Sequence, residues 1–130
     1  MIRGVGSDLV EIRRIAAALE RHGERFLRRV FRPGEERRDG TVLPPESLAA
    51  RFAAKEAVLK ALGTGWSAGV RWTDVEVTGG RGQPPAVRLH GRARRRAKAL
   101  GVARIHLSLS HDAGLALAFA VLEGEAGPGR

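Results

Sequence analysis

Asp8, Glu56 and Lys60 are the side chains of this sequence best placed to do chemistry. Glu56 and Lys60 stand one helical turn apart in the stretch Arg51–Gly65, RFAAKEAVLKALGTG. Glu56 can offer oxygens to a hard cation such as Mg2+. Lys60 can meet a phosphate as a point charge. Gly63-Thr64-Gly65 then lets backbone N–H groups come close to a phosphate or nucleotide. A glutamate followed four residues later by a lysine is also the commonest surface helix pair, so the spacing alone does not specify a site. The order of the parts excludes a P-loop, in which glycines precede the lysine and open a helix. Here the glycines close one, and that end of a helix is negative. A bound phosphate would therefore depend on Lys60 and other cations. Asp8 lies in MIRGVGSDLV, where alternation puts it on one strand face with Ile2, Gly4, Gly6 and Val10. It either holds a cation or a set of donors there, because a lone buried carboxylate is costly, or it ends the strand and caps a turn.

The elements that must position these groups follow from patterning. Ile2–Val10 predicts a strand whose glycines admit another backbone or a ligand at close range. Ile12–His22 predicts an amphipathic helix with Ile12, Ile15, Ala16 and Leu19 on its buried face, ended by Gly23. Phe31–Leu43 is turn and short-helix material. Pro44-Pro45 marks the start of a long central helix that Gly63 caps. In that helix Leu48, Phe52, Leu59 and Leu62 form a core stripe. Ala49, Ala53, Glu56, Lys60 and Gly63 form a second stripe, whose alanines leave room for a neighbouring segment. Val70–Thr78 predicts a bent strand, Gly79–Pro85 a loop, Ala86–His90 a short strand and Arg92–Leu100 a basic helix. Arg104–Ser110 and Leu115–Leu122 predict a hairpin across His111–Gly114. On its first strand His106, Ser108 and Ser110 share one face, and Ile105, Leu107 and Leu109 the other. The fold class expected is α+β, with a mainly antiparallel sheet and one long central helix. Residues 1–123 are expected to form a single domain and 124–130 a flexible, glycine-rich tail.

With 130 residues, 43% of them hydrophobic, the chain has material for one real core. It has no cysteine, which excludes disulfides, thiolate metal sites and a cysteine nucleophile and fits a reducing cytoplasm. The N-terminus does not read as a signal peptide, and no stretch reads as a membrane span. A net charge of +9, from 23 basic and 14 acidic residues, favours an anionic partner. Between Val87 and Arg104 there is no acidic residue at all.

Three segments converge: Gly4-Val5-Gly6-Ser7-Asp8 on a strand, Phe52-Ala53-Ala54-Lys55-Glu56-Ala57 through Lys60-Ala61-Leu62-Gly63-Thr64-Gly65 on a helix, and His106-Leu107-Ser108-Leu109-Ser110-His111 near the end. In this order, and in so short a chain, they resemble the phosphopantetheinyl transferases, in particular their small bacterial type. The resemblance runs from Met1 to about Glu123. It implies transfer of the phosphopantetheine arm of coenzyme A to a serine of apo acyl carrier protein, with adenosine 3′,5′-bisphosphate released, in fatty acid biosynthesis. It also implies an α+β homotrimer with active sites between subunits. Residue by residue, it makes Asp8 and Glu56 magnesium ligands and, with Lys60, the catalytic set. Lys60, Gly63, Thr64, Gly65, Ser110 and His111 would hold coenzyme A. Arg13, Arg14 and Arg21 on the first helix would dock the carrier protein. The sequence departs from the family pattern at Gln83-Pro84-Pro85, where a basic residue and a single proline are more usual, and in the strong charge of Arg92–Lys98.

The competing reading is a small basic nucleic-acid-binding domain, resting on net charge and on Arg92–Lys98. Aromatic residues make up only 5%, which leaves little platform for stacking bases. That reading also gives Asp8 and Glu56 no role. The preferred reading involves neither nucleic acid nor membrane.

Overall fold

A computed structural model describes residues 1–64, 69–80 and 82–126. In chain order it has strand β1 (Ile2–Glu11), helices α1 (Ile12–His22) and α2 (Glu24–Val30), and a two-residue hairpin of β2 (Arg37–Arg38) and β3 (Thr41–Val42). Helix α3 (Pro45–Leu62), a single 3-10 turn (Trp72–Asp74), β4 (Val75–Gly80), β5 (Gln83–Leu89), α4 (Gly91–Ala99), β6 (Val102–Asp112) and β7 (Leu115–Gly124) follow. The main sheet is antiparallel in the order β1-β7-β6, and β4 and β5 form a separate antiparallel pair. The α+β architecture around one long helix is the one expected.

α3 is the axis of the molecule. Pro44 and Pro45 set its first turn, and Gly63 closes it in the left-handed conformation at φ 76°, its N–H donating to the Lys60 carbonyl at 3.0 Å. Three of the four residues of the core stripe, Leu48, Leu59 and Leu62, are fully buried, each contributing on the order of 1.5–3 kcal/mol, whereas Phe52 is half-buried and lines a cleft. Ala49 and Ala53 are buried as well, so the helix is covered on nearly all sides. The closest approach falls one and two turns further on. A Cβ added to Gly4 would stand 2.1 Å from the Ala61 carbonyl oxygen, and one added to Gly6 would stand 2.0 Å from that of Ala57. The strand glycines thus admit a backbone, that of α3.

β1 runs one residue further than predicted, and a register shift between Ile2 and Gly4 turns Ile2 outward while Gly6 and Val10 stay buried. α1 matches its predicted span. α2, which was not predicted, buries Leu27 and Val30. The bent strand resolves into the 3-10 turn followed by β4. The expected loop Gly79–Pro85 is instead largely strand, because Gly80 pairs with Gln83 across a tight turn. Prolines 84 and 85 are tolerated there because, among the described residues, β5 pairs with β4 alone and leaves its other edge open. The β6–β7 hairpin turns at Ala113 and Gly114, both at positive φ. β7 continues through Gly124, whose N–H donates to the Met1 carbonyl at 2.8 Å, so the predicted tail boundary falls inside this strand. Residues 127–130 lie outside the described residues.

The glycine contact yields a quantitative expectation. Gly6→Ala places a methyl group inside the Ala57 carbonyl, and no side-chain motion relieves a backbone clash. Urea unfolding should show a loss of roughly 3 kcal/mol, at the upper end of core overpacking. A loss within about 0.5 kcal/mol, typical of a surface change, would mean that β1 does not lie this close to α3.

Candidate functional site

Strand β1 runs back along α3, with Gly4 at Ala61 and Gly6 at Ala57, so the next inward position, Asp8, arrives at the Glu56 turn. Helical side chains lean toward the N-terminus of their helix. Lys60 accordingly reaches back: its Nζ lies 2.9 Å from Asp8 Oδ1 and donates to the Ser7 carbonyl at 3.0 Å. The Asp8 side chain is 15% exposed and that of Lys60 52%, so the pair sits at the lip of a depression. The three residues read from sequence as the chemical set are brought together.

Asp8 and Glu56 line one cleft of about 560 Å³, together with Arg14, Arg29, Phe52 and Trp72. Trp72 Nε1–H donates to Glu56 Oε1 at 2.9 Å. Among the described residues, each carboxylate therefore has one oxygen engaged by a donor and one left over. Among the described residues no group of three or more acidic, histidine or cysteine side chains converges on a metal-sized site. Two carboxylates suit Mg2+, which keeps several waters and takes substrate phosphate oxygens for the rest of its shell. A metal that needs a complete protein cage would find no match here.

Lys55, beside Glu56, points the other way and was not singled out in the sequence. Its side chain and that of Glu35 are both 0% exposed, and they pair at 2.9 Å. Lys55 also donates to the Trp72 carbonyl at 3.2 Å and to that of Val75, and lies over the Phe31 ring. Glu35 accepts the Arg32 N–H at 2.8 Å and the Val77 N–H at 2.7 Å. Burial pulls the Lys55 ammonium below the usual lysine range, and Glu35 opposes that pull. The pair ties the segment before β2 and the start of β4 to α3. Only the adjacency of Lys55 to Glu56 could have hinted at it; nothing local marks Glu35.

Other predicted residues lie apart. Arg13 is surface-exposed and pairs with Glu11 at 2.8 Å. Arg14 reaches the cleft wall, while Arg21 stays on the exposed face of α1. Gly63 caps α3 and Thr64 follows it; Gly65 lies outside the described residues. Ser110 is exposed opposite Leu117, which in turn faces Leu9 of β1, so Ser110 stands two strands, or about 10 Å, from Leu9. His111 lines a second cleft of about 460 Å³ with Arg38, Arg51, Gly79, Pro85 and Ser108. In a single chain neither Ser110 nor His111 joins Asp8 and Glu56. Arg51, missed from sequence, braces that second cleft by donating to the Val77 and Gly79 carbonyls. Burial lowers its pKa, against the opposing charge of Glu35. Part of the basic helix is structural: Arg96 Nε donates to the Leu62 carbonyl at 3.0 Å, placing a cation at the negative end of α3.

Residues 4–120 match the family model of the 4'-phosphopantetheinyl transferase superfamily. A holo-[acyl-carrier-protein] synthase of a Methylobacterium species is 53% identical over 128 residues, covering 95% of each chain. The crystal structure of that enzyme from Neisseria meningitidis superimposes with a TM-score of 0.81 at 34% identity, over 95% of this chain and 99% of that one. The Helicobacter pylori enzyme, solved in complex with coenzyme A, gives 0.77 at 30% identity, over 92% and 99%. Nothing in these likenesses supports the nucleic-acid reading. The chain belongs to the 4'-phosphopantetheinyl transferase superfamily, among its holo-[acyl-carrier-protein] synthases.

Proposed function

We propose that the chain through β7 forms a single Mg2+-dependent transferase domain, acting in the cytoplasm and in fatty acid biosynthesis as a homotrimer with active sites between subunits. The reaction moves the phosphopantetheine arm of coenzyme A onto a serine of apo acyl carrier protein. It yields holo carrier protein and adenosine 3′,5′-bisphosphate. The observation that carries this reading is that Asp8 and Glu56 line one cleft while Lys60 pairs with Asp8 at 2.9 Å.

The serine oxygen attacks the phosphorus nearest pantetheine, the bond from that phosphorus to the bridging pyrophosphate oxygen breaks, adenosine 3′,5′-bisphosphate leaves with that oxygen, and the serine proton passes to solvent. Asp8 and Glu56 would hold Mg2+, which when bound would offset the charge that grows on the pyrophosphate oxygens. Lys60 adds a fixed cation beside them. In this arrangement it is paired with Asp8, so it exchanges a carboxylate for a phosphate partner when coenzyme A arrives. The Gly63-Thr64-Gly65 turn adds backbone donors. No covalent intermediate on the protein is needed, in keeping with the missing cysteine. Arg13, Arg14 and Arg21 would receive the acidic carrier protein. Arg14 is apt because it stands between the α1 surface and the carboxylate cleft.

The outer face of the main sheet supports the trimer. Val5 (52% exposed), Leu9 (60%), Leu117 (43%) and Phe119 (46%) stand together there, an apolar patch that solvent does not favour. Pairing register places Leu9 opposite Leu117 and Val5 opposite Val121. The exposed Ser110 borders the same patch. A neighbouring subunit seated here would bring its Ser110 and His111 toward the first subunit's carboxylates, which one chain alone does not do. No described helix is long and apolar enough to cross a membrane, and the reaction needs neither lipid nor nucleic acid.

Three outcomes follow. Glu56→Gln keeps shape and removes charge, so the protein should fold with an unchanged Tm and lose Mg2+-dependent transfer, by about 100-fold or more on the scale of losing an electrostatic contact. Near wild-type transfer at limiting Mg2+ would refute the ligand assignment. Phe119→Glu puts a charge into the apolar sheet face; sedimentation should show the trimer giving way to monomer, with activity lost in step. A fully active wild-type monomer would end the shared-site reading. Reversing Arg14 and Arg21 to glutamate should raise the KM for carrier protein sharply and leave that for coenzyme A nearly unchanged. Wild-type transfer should also weaken with salt, since exposed charges are screened over about 10 Å near 0.1 M. Loss of coenzyme A affinity instead would move α1 into the nucleotide site.

A further inference from the structure

Trp72 lines the cleft with its ring and backbone braced by neighbours, and its indole donor is aimed at Glu56. Its ring lies against Phe52, one turn before Glu56 on α3, with centroids 5.6 Å apart. The Arg29 guanidinium stands over the ring at 5.9 Å. The backbone is pinned as firmly. The Trp72 carbonyl accepts from Lys55 at 3.2 Å, and Lys55 is itself locked by the buried Glu35. The next carbonyl, that of Thr73, accepts from Arg32 Nη1 at 2.9 Å. The residue closing the turn, Asp74, accepts the Arg71 N–H through its side chain at 3.2 Å. From this frame the indole N–H reaches Glu56 Oε1 at 2.9 Å.

An indole N–H donates one hydrogen bond and accepts none. It cannot ligate a cation or exchange protons with the carboxylate. It can only occupy one lone pair of Glu56 and fix the plane of the group. A free glutamate on a helix rotates about three bonds, and a cation that binds it must stop those rotations. When one oxygen is already anchored, that cost has been met in folding, and the second oxygen meets the ion in place. A phenylalanine at this position would fill the same space against Phe52 and Arg29 without holding the carboxylate.

We propose that Trp72 is a positioning residue for Glu56, its indole N–H anchoring one carboxylate oxygen so that the other is presented to the divalent cation. Lys55 and Glu35 serve the same end one step further back, by fixing the backbone that carries the indole. The proposal rests on the reading of Glu56 as a metal ligand.

The test is Trp72→Phe, which deletes the N–H and keeps a ring. Mn2+ is titrated into the full chain saturated with coenzyme A, and the free ion is followed by electron paramagnetic resonance. Affinity should fall about tenfold, the usual effect of removing an outer partner of a metal ligand. The Mg2+ concentration for half-maximal transfer should rise by the same factor, while the rate at saturating Mg2+ stays within about twofold. A uniform rate loss at every Mg2+ concentration, with unchanged Mn2+ affinity, would show a merely structural residue and overturn the proposal. Glu56→Gln runs alongside: if it too leaves Mn2+ binding unchanged, the metal reading itself falls and the proposal falls with it. Should the Phe variant fold poorly, the wild type still decides. Its two tryptophans give two indole N–H resonances, and the one at Trp72 should shift on adding Mg2+ and move upfield in Glu56→Gln. An indole signal indifferent to both would also overturn the proposal.

Discussion

The structure depends on one close approach, that of the β1 backbone to the backbone of α3. Gly4 and Gly6 have no side chains where a Cβ would stand 2.1 Å from the Ala61 carbonyl oxygen and 2.0 Å from that of Ala57, so strand and helix meet backbone to backbone at a distance that a strand residue with a side chain would not allow. Everything chemical follows from that contact. Because β1 runs antiparallel to α3, the side chain two residues beyond Gly6 must arrive at the Glu56 turn. Asp8 is therefore set by geometry that the glycines impose. A larger residue at either glycine would lift β1 away from the helix and separate the two carboxylates.

A second constraint holds α3 to the other side of the molecule. Lys55 and Glu35 are both fully buried. Such a pair adds little net stability over an apolar substitute, because desolvation offsets its attraction. Breaking it by removing one partner costs about 3–5 kcal/mol. Its value here is directional. Three acceptors around one ammonium and two N–H donors on one carboxylate fix where the segment before β2, the Trp72 turn and β4 meet the helix. Glu56 thus faces a wall whose position is set by its own neighbour in sequence. Consecutive residues on one helix point opposite ways, Lys55 inward to the buried pair and Glu56 outward to the cleft.

The surfaces follow the same economy. One face of the β1-β7-β6 sheet is covered by α3, with Ala116, Ala118, Ala120 and Leu122 all buried. The opposite face carries Val5, Leu9, Leu117 and Phe119 in the open. An antiparallel sheet with one solvated face ordinarily alternates apolar with polar residues. β6 obeys with His106, Ser108 and Ser110, whereas β1 and β7 do not. Half of the arginines lie elsewhere, on α1, α2 and α4, while Arg3 and Arg104 belong to β1 and β6 of this sheet.

Much of this was legible in the sequence where the signal is local. Alternation gave β1, β6 and β7, the proline pair and Gly63 bounded α3, and three short motifs together identified the family. The one-turn spacing of Glu56 and Lys60 already placed them on one face. Local patterning misread Gly79–Pro85 as a loop, because glycines and prolines mark turns whether or not strands flank them closely, and only the pairing of Gly80 with Gln83 decides. It left two readings of Asp8 open, since periodicity gives a strand face and not what covers it. It passed over Glu35, Arg51 and Trp72, whose roles depend on hydrogen-bond partners between sixteen and forty-two positions away, such as Glu56 for Trp72 and Val77 for Glu35. A sequence fixes which groups exist and how neighbours along the chain are phased. Which donor meets which carboxylate was decided only when β1, the Trp72 turn and β4 closed on α3, because hydrogen bonds and buried charge depend on separation in space.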